Sequence, residues 1–257
     1  MTKQKYISLQ RWFDRYVDGF REPNGLLPAA LELKYCHSRR VAENARLIAE
    51  GLDLAPAEIL LAEGCGLVHD IGRFPQYAIY GSFRDADTVD HGIAGRQTME
   101  KEGLPLLIDA GDWLRMACAV EYHNRKKTDI PEDIQENERR FLNIIRDADK
   151  LDIMDIVTQS VARDGFRELP DMLPHISLNR ELTPLVMEEV LKIKTVSIGS
   201  LRTVADFLVM LASWFYDLNY APSRSLAAKN HILERIEREL PKTETVDSLF
   251  RDVKDRL

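Results

Sequence analysis

Apolar residues in this chain recur every third or fourth position, and nowhere do apolar and polar residues alternate long enough to make a half-buried strand. His37, Val41, Ala45, Ile48 and Leu52 illustrate the pattern: their spacing puts them on one face of a helix. Such a chain folds by packing helix on helix, and the fold class expected is all-α. At 257 residues with 45% hydrophobic content it can bury a full core. The division expected is an N-terminal helical segment at 1–29, a helical core at 30–160, and a C-terminal helical extension at 161–257 packed on that core.

Local signals refine this. Gly51 suits the end of the helix through Ile48, and Pro56 suits the first turn of the next, which runs to about Asp70. From Arg73 to Asp90 the periodicity fades and Pro75, Gly81 and several aspartates appear, which predicts a long loop. Helices follow from about His91 to Gly103, Asp112 to Asn124, and Glu138 to Ala162, with a polar loop over 126–133. Beyond Arg163, Pro170, Pro174 and Pro184 break the chain. Two long amphipathic helices are then expected, Pro184 to Tyr220, with an interruption near Gly199, and Ser223 to Glu239.

Three cysteines without a CxxC pair fit a reducing compartment. The first residues lack the apolar run of a signal peptide, and the most apolar stretch, Ala205 to Leu218, is interrupted by Asp206 and Asp217. A cytoplasmic protein with no membrane partner is expected. The net charge of −7 argues against binding a nucleic-acid polymer but not against a small anion. The apolar C-terminal helices, with Trp214, Phe215, Tyr216 and Tyr220, suit core packing or the interface of a homodimer.

Four of the six histidines, His37, His69, His91 and His123, stand where metal ligands would. His37 lies on the inward stripe above. His123 follows Met116, Ala119 and Val120 at helical spacing, so it also faces inward. His69 and Asp70 are adjacent where a helix closes, and a turning backbone lets both reach one ion. In the acidic run Arg146 to Asp152, Asp149 shares a stripe with Leu142, Ile145, Ile153 and Ile156, and a carboxylate there demands a partner. Asp147, beside Ile144, Leu151 and Met154, is the alternative. Imidazole and carboxylate together suit divalent first-row metals. Cys36 and Cys65 read as small buried hydrophobes, and His175 and His231 carry no assigned role.

The order His37, then His69-Asp70, then Asp149 resembles the HD superfamily of metal-dependent phosphohydrolases. His69-Asp70-Ile71-Gly72 matches its "HDIG" form, and Ala148-Asp149-Lys150-Leu151 its late "ADxL" signature, which selects Asp149 over Asp147. The resemblance covers roughly residues 30 to 160. It implies an all-α core of about five helices. His37, His69, Asp70 and Asp149 would hold one divalent ion (Mn, Fe, Co, Ni or Mg), while His91 and His123 would hold a second, with Asp70 bridging. Two features of cyclic-dinucleotide phosphodiesterases in the family are missing: His123-Asn124 stands where they have a His-His pair, and there is no "GYP" motif.

The activity implied is attack of metal-bound hydroxide on a nucleotide or other small phosphate ester, as phosphomonoesterase or phosphodiesterase. Asp70 would also orient the water. Arg73 is the first candidate to grip the phosphate and act in catalysis, followed by Arg84, Arg96 and Lys150 as substrate contacts. Gln76, Tyr77, Tyr80 and Phe83 in the loop after the doublet could line a substrate. Two other functions share the ligand order: a di-iron oxygenase of the same fold, and a non-catalytic nucleotide-binding module.

Overall fold

The computed structural model describes residues 1–166 and 176–256. Pro170, Pro174 and His175 lie outside the described residues. The fold is all-α, and no strand forms among the described residues. A single bridge among the described residues pairs Ser177 with Thr203. No described helix is long and apolar enough to cross a membrane.

The chain forms two compact units, Met1–Asp149 and Lys150–Leu257. The first takes in the N-terminal helix together with the histidine-bearing segments. Its elements are α1 (Lys3–Asp18), α2 (Ala29–Gly51), α3 (Pro56–Val68), α4 (Arg73–Tyr80), α5 (His91–Lys101), α6 (Ala110–Tyr122) and the start of α7 (Glu136–Asp164). The boundary between the units falls inside α7.

In the first unit α2 and α3 form the most extensive helix pair, α1 and α6 both pack on α3, and α5 packs on α6. The expected stripe is buried: Val41, Ala45 and Ile48 are fully enclosed, as are Leu61, Cys65 and Val68 on α3. Two glycines set how closely the helices approach. A Cβ on Gly66 of α3 would lie 2.8 Å from the Ala42 Cα and 2.9 Å from the Val41 carbonyl oxygen of α2. A Cβ on Gly72 would lie 2.2 Å from the His91 carbonyl oxygen. Backbone thus meets backbone at both points, a distance only glycine permits.

The long loop expected over 73–90 begins instead with a helix, α4. Pro75 falls in its first turn, where a missing N–H removes no intrahelical bond. Phe74 and Gln76 are buried, and Gly81 ends the helix at φ 62°. Eight residues are too few for their periodicity to stand out.

The second unit meets expectation in part. The stretch from Pro184 to Tyr220 is interrupted around Gly199, as expected, leaving α8 (Pro184–Ile193) and α9 (Val204–Ser213): Lys194 turns left-handed at φ 57° and Thr203 starts α9 with a capping box. The helix expected at Ser223 to Glu239 divides at His231, φ 51°, into α10 (Ala221–Lys229) and α11 (Ile232–Glu239). A last helix, α12 (Glu244–Lys254), was not anticipated. Every residue of α9 is buried, and α8, α11 and α12 pack against it. Its one charge, Asp206, accepts hydrogen bonds from Thr183 N and Oγ1, Arg202 N and Thr203 N at 2.6–3.2 Å, which offsets the cost of burying it.

Candidate metal centre

Each of the four histidines enters the centre from a different helix. His37 comes from the middle of α2, His69 from the C-terminal cap of α3, His91 from the first residue of α5, and His123 from the C-terminal cap of α6. The two cap histidines are built alike. His69 Nδ1 donates to the Gly66 carbonyl and His123 Nδ1 to the Val120 carbonyl, both at 2.8 Å. Carbonyls of a last helical turn lack intrahelical donors, so each ring satisfies one of them. Each ring then carries its proton on Nδ1 and turns a bare Nε2 toward the centre. His91 reaches the same tautomer by donating from Nδ1 to Asp85 Oδ2 at 2.5 Å.

Asp70 lies between two groups of ligands. Its Oδ2 is 3.6 Å from His37 Nε2 and 3.7 Å from His69 Nε2. Its Oδ1 is 3.4 Å from His91 Nε2 and 3.7 Å from His123 Nε2. Asp149 joins the first group, with Oδ1 3.1 Å from His37 Nε2 and 3.7 Å from His69 Nε2. Burial would not have picked it out: Asp147 is fully enclosed, whereas the Asp149 side chain keeps 21% of its exposure. The direction of Asp149 toward the two imidazoles distinguishes it.

These donors fit a metal. His91 Nε2 and His123 Nε2 are 3.1 Å apart, and both carry lone pairs because their protons are used at Nδ1. His37 Nε2 and His69 Nε2 are 3.2 Å apart. The facing lone pairs of His91 and His123 repel, and a shared cation turns that repulsion into attraction. Among the described residues three overlapping sets converge closely enough to hold an ion: His37, His69 and Asp70; His69, His123 and Asp149; and Asp70, His91 and His123. No cysteine belongs to any of them.

The electrostatics suit ligands. Burial pushes the His69 imidazole down from its ordinary value, and burial followed by the Arg73 charge takes His91 down to about 4. Both rings are therefore neutral at pH 7, as ligation requires. Burial opposes ionisation of Asp70, yet the Lys34 charge beside it holds its carboxyl well below the usual carboxylate range. A hydrogen bond from His37 does the same for Asp149 against the same burial.

Around the ligands lies a hydrogen-bonded layer that sequence reasoning did not find. Asp85 accepts from His91 and, at 2.8–3.3 Å, from Arg73 Nη1, Gln76 Nε2 and Asn124 Nδ2. Its carboxyl is also lowered, with His91 the main cause opposing burial. Gln76 is 1% exposed and also donates to Thr88 Oγ1 and the Val89 carbonyl, so it braces the segment after α4. Tyr77 and Phe83 pack on each other at 5.0 Å. Lys34, one turn before His37 on α2, donates to Asp70 Oδ2 at 2.8 Å.

The basic candidates go to different places. Arg73 is anchored through Nη1 to Asp85, Gln76 and the Phe83 carbonyl, and its buried Nε, with no hydrogen-bond acceptor, lies 3.5 Å from Asp70 Oδ1. Arg84 pairs with Asp87, Arg96 with Glu100 and Glu121, and Lys150 with Asp217.

Residues 35–154 match the family model described as the HD domain. No curated protein and no solved structure matches the chain.

Proposed function

With residues 35–154 forming an HD domain, we propose that this chain is a metal-dependent phosphohydrolase that cleaves a nucleotide or another small phosphate ester. The observation that carries this reading is the division of Asp70, one oxygen toward His37, His69 and Asp149 and the other toward His91 and His123. His37, His69, Asp149 and Asp70 Oδ2 would hold one divalent ion, and His91, His123 and Asp70 Oδ1 a second. Ions held there supply an activated water and a Lewis-acid contact for the phosphoryl oxygens.

The protein's own groups do the rest. Asp70 accepts a hydrogen bond from the water and fixes its direction toward phosphorus. Arg73 cannot swing away because three acceptors hold its Nη1, so its Nε meets a phosphoryl oxygen at a preset position. Asp85 keeps the His91 ring in the ligating tautomer. The two cations beside Asp70, Lys34 and Arg73, favour an anionic ester.

Metal analysis of the purified protein, followed by phosphate release from nucleotides and other small esters with Mn, Mg, Fe, Co and Ni, tests the reading. Release that requires metal and disappears in Asp70→Ala is expected. Fully metallated protein that releases no phosphate from any class, with Asp70→Ala indistinguishable from it, overturns the reading. An oxygen-dependent optical change of the iron-loaded protein would point to oxygenase chemistry instead.

A further inference from the structure

Lys34 is not a metal ligand, yet at 2.8 Å its ammonium is closer to Asp70 than any of the imidazoles, which stand at 3.4–3.7 Å. It lies three residues before His37 and so shares that face of α2. Its side chain is only 14% exposed. The ammonium sits 5.5 Å from the centre of the Phe83 ring, and the Arg73 guanidinium lies 5.8 Å from the same ring. Phe83 thus supports two cations, one against each oxygen of Asp70: Lys34 at Oδ2 and Arg73 at Oδ1.

The oxygen Lys34 holds is the one turned toward His37 and His69. A divalent ion in that half would share Oδ2 with a fixed positive charge a few ångströms away. Like charges that close in a buried site oppose each other strongly. An anion that touches both relieves the repulsion, and a phosphate carries enough oxygens to do so. Metal and phosphate then bind as linked ligands, each tightening the other by the same factor.

We propose that Lys34 couples metal loading of this centre to phosphate binding, holding Asp70 Oδ2 in the free protein and contacting the phosphate once metal takes that oxygen. The proposal rests on the hydrolase reading only for the choice of phosphate as the anion.

The test is calorimetric titration of the whole protein with Mn²⁺, with and without saturating inorganic phosphate, and the reverse titration with phosphate. In wild type, phosphate should tighten Mn²⁺ binding about tenfold, and Mn²⁺ should tighten phosphate by the same factor. Lys34→Gln keeps a donor for Oδ2 but no charge. It should bind Mn²⁺ about fivefold or more tightly without phosphate, and the phosphate effect should shrink to less than about threefold. Lys34→Arg should restore the coupling. Thermal melts establish that each variant is folded.

A folded Lys34→Gln protein with wild-type Mn²⁺ affinity and an unchanged phosphate effect overturns the proposal. So does a wild type in which phosphate leaves Mn²⁺ affinity unaltered, whatever the variants do. Wild type that binds no divalent metal overturns both this proposal and the hydrolase reading. Coupling that depends on Lys34, in a protein that hydrolyses no ester, sustains the proposal and overturns the hydrolase reading alone.

Discussion

Replacing Gly66 by alanine should weaken metal binding far more than it weakens the fold. Gly66 is the contact at which α3 rests on α2, three residues before His69 and facing Ala42, one turn beyond His37. The added Cβ would stand 2.8 Å from the Ala42 Cα and 2.9 Å from the Val41 carbonyl oxygen, and ordinary contact begins at 3.4 Å. Both obstacles are backbone, so no rotamer change relieves them and the helices must part by about 0.6 Å. Metal–ligand distances tolerate only about 0.2 Å. His37 and His69, one from each helix, can then no longer serve one ion with good geometry. We expect Mn²⁺ affinity to fall by about tenfold or more. Stability moves less, because overpacking costs about 1–3 kcal/mol while alanine in a helix interior returns up to about 1 kcal/mol. The net loss of about 0–2 kcal/mol lowers Tm by several degrees at most. Calorimetric titration with Mn²⁺ and thermal melting of the same samples read the two effects. Gly111→Ala is the control, since its Cβ would meet nothing within 4 Å and should leave both quantities nearly unchanged. Wild-type Mn²⁺ affinity in a Gly66→Ala protein would refute the claim that this contact sets the spacing of the ligands.

Asp85→Asn should loosen His91, Arg73 and Gln76 together, lowering metal affinity by about 10–100-fold, most strongly for the ion bound through His91 and His123; titration that shows equal affinities counts against it. The metal-free protein should lose stability on acidification. His91 is about 4 when folded and near 6.5 when unfolded, so between those values the unfolded chain binds more protons and stability falls as pH falls. Asp70 and Asp149, held low, extend the loss below the ordinary carboxylate value near 3.8. Urea titrations from pH 7 to 4 without metal would reveal it, and a flat profile would contradict the burial argument. Asp206→Ala in the second unit strands four donors around the start of α9 and should cost on the order of 3 kcal/mol, while leaving Mn²⁺ affinity as in wild type.

Helix type and the inward aim of His37 and His123 were legible because a 3.6-residue period marks a buried face without reference to any other element. The His69-Asp70 doublet and the late Asp149 were legible as a resemblance. Short-range punctuation was harder to read. α4 is too brief for periodicity to stand out, and the break at His231 rests on a single left-handed residue whose side chain does not announce that conformation, whereas the break around Gly199 was legible.

The layer around the ligands was not legible for a different reason. Asp85 was one aspartate among several between Ser82 and Asp90, and Gln76 read as a candidate substrate contact in an expected loop. Each acquires its role only when His91, Arg73 and Asn124 converge on the same carboxylate. Arg84 and Arg96 stood behind Arg73 as candidate phosphate contacts, and they pair with Asp87, Glu100 and Glu121. Lys34 was passed over, although it touches Asp70, 36 positions further along the chain. The identities of the candidate ligands are therefore written in the chain, because ligation needs particular atoms on particular helix faces. Which charges surround them follows from packing, because an ion pair depends on a distance of a few ångströms between residues far apart in sequence, and glycine contacts such as Gly66 on Ala42 set that distance.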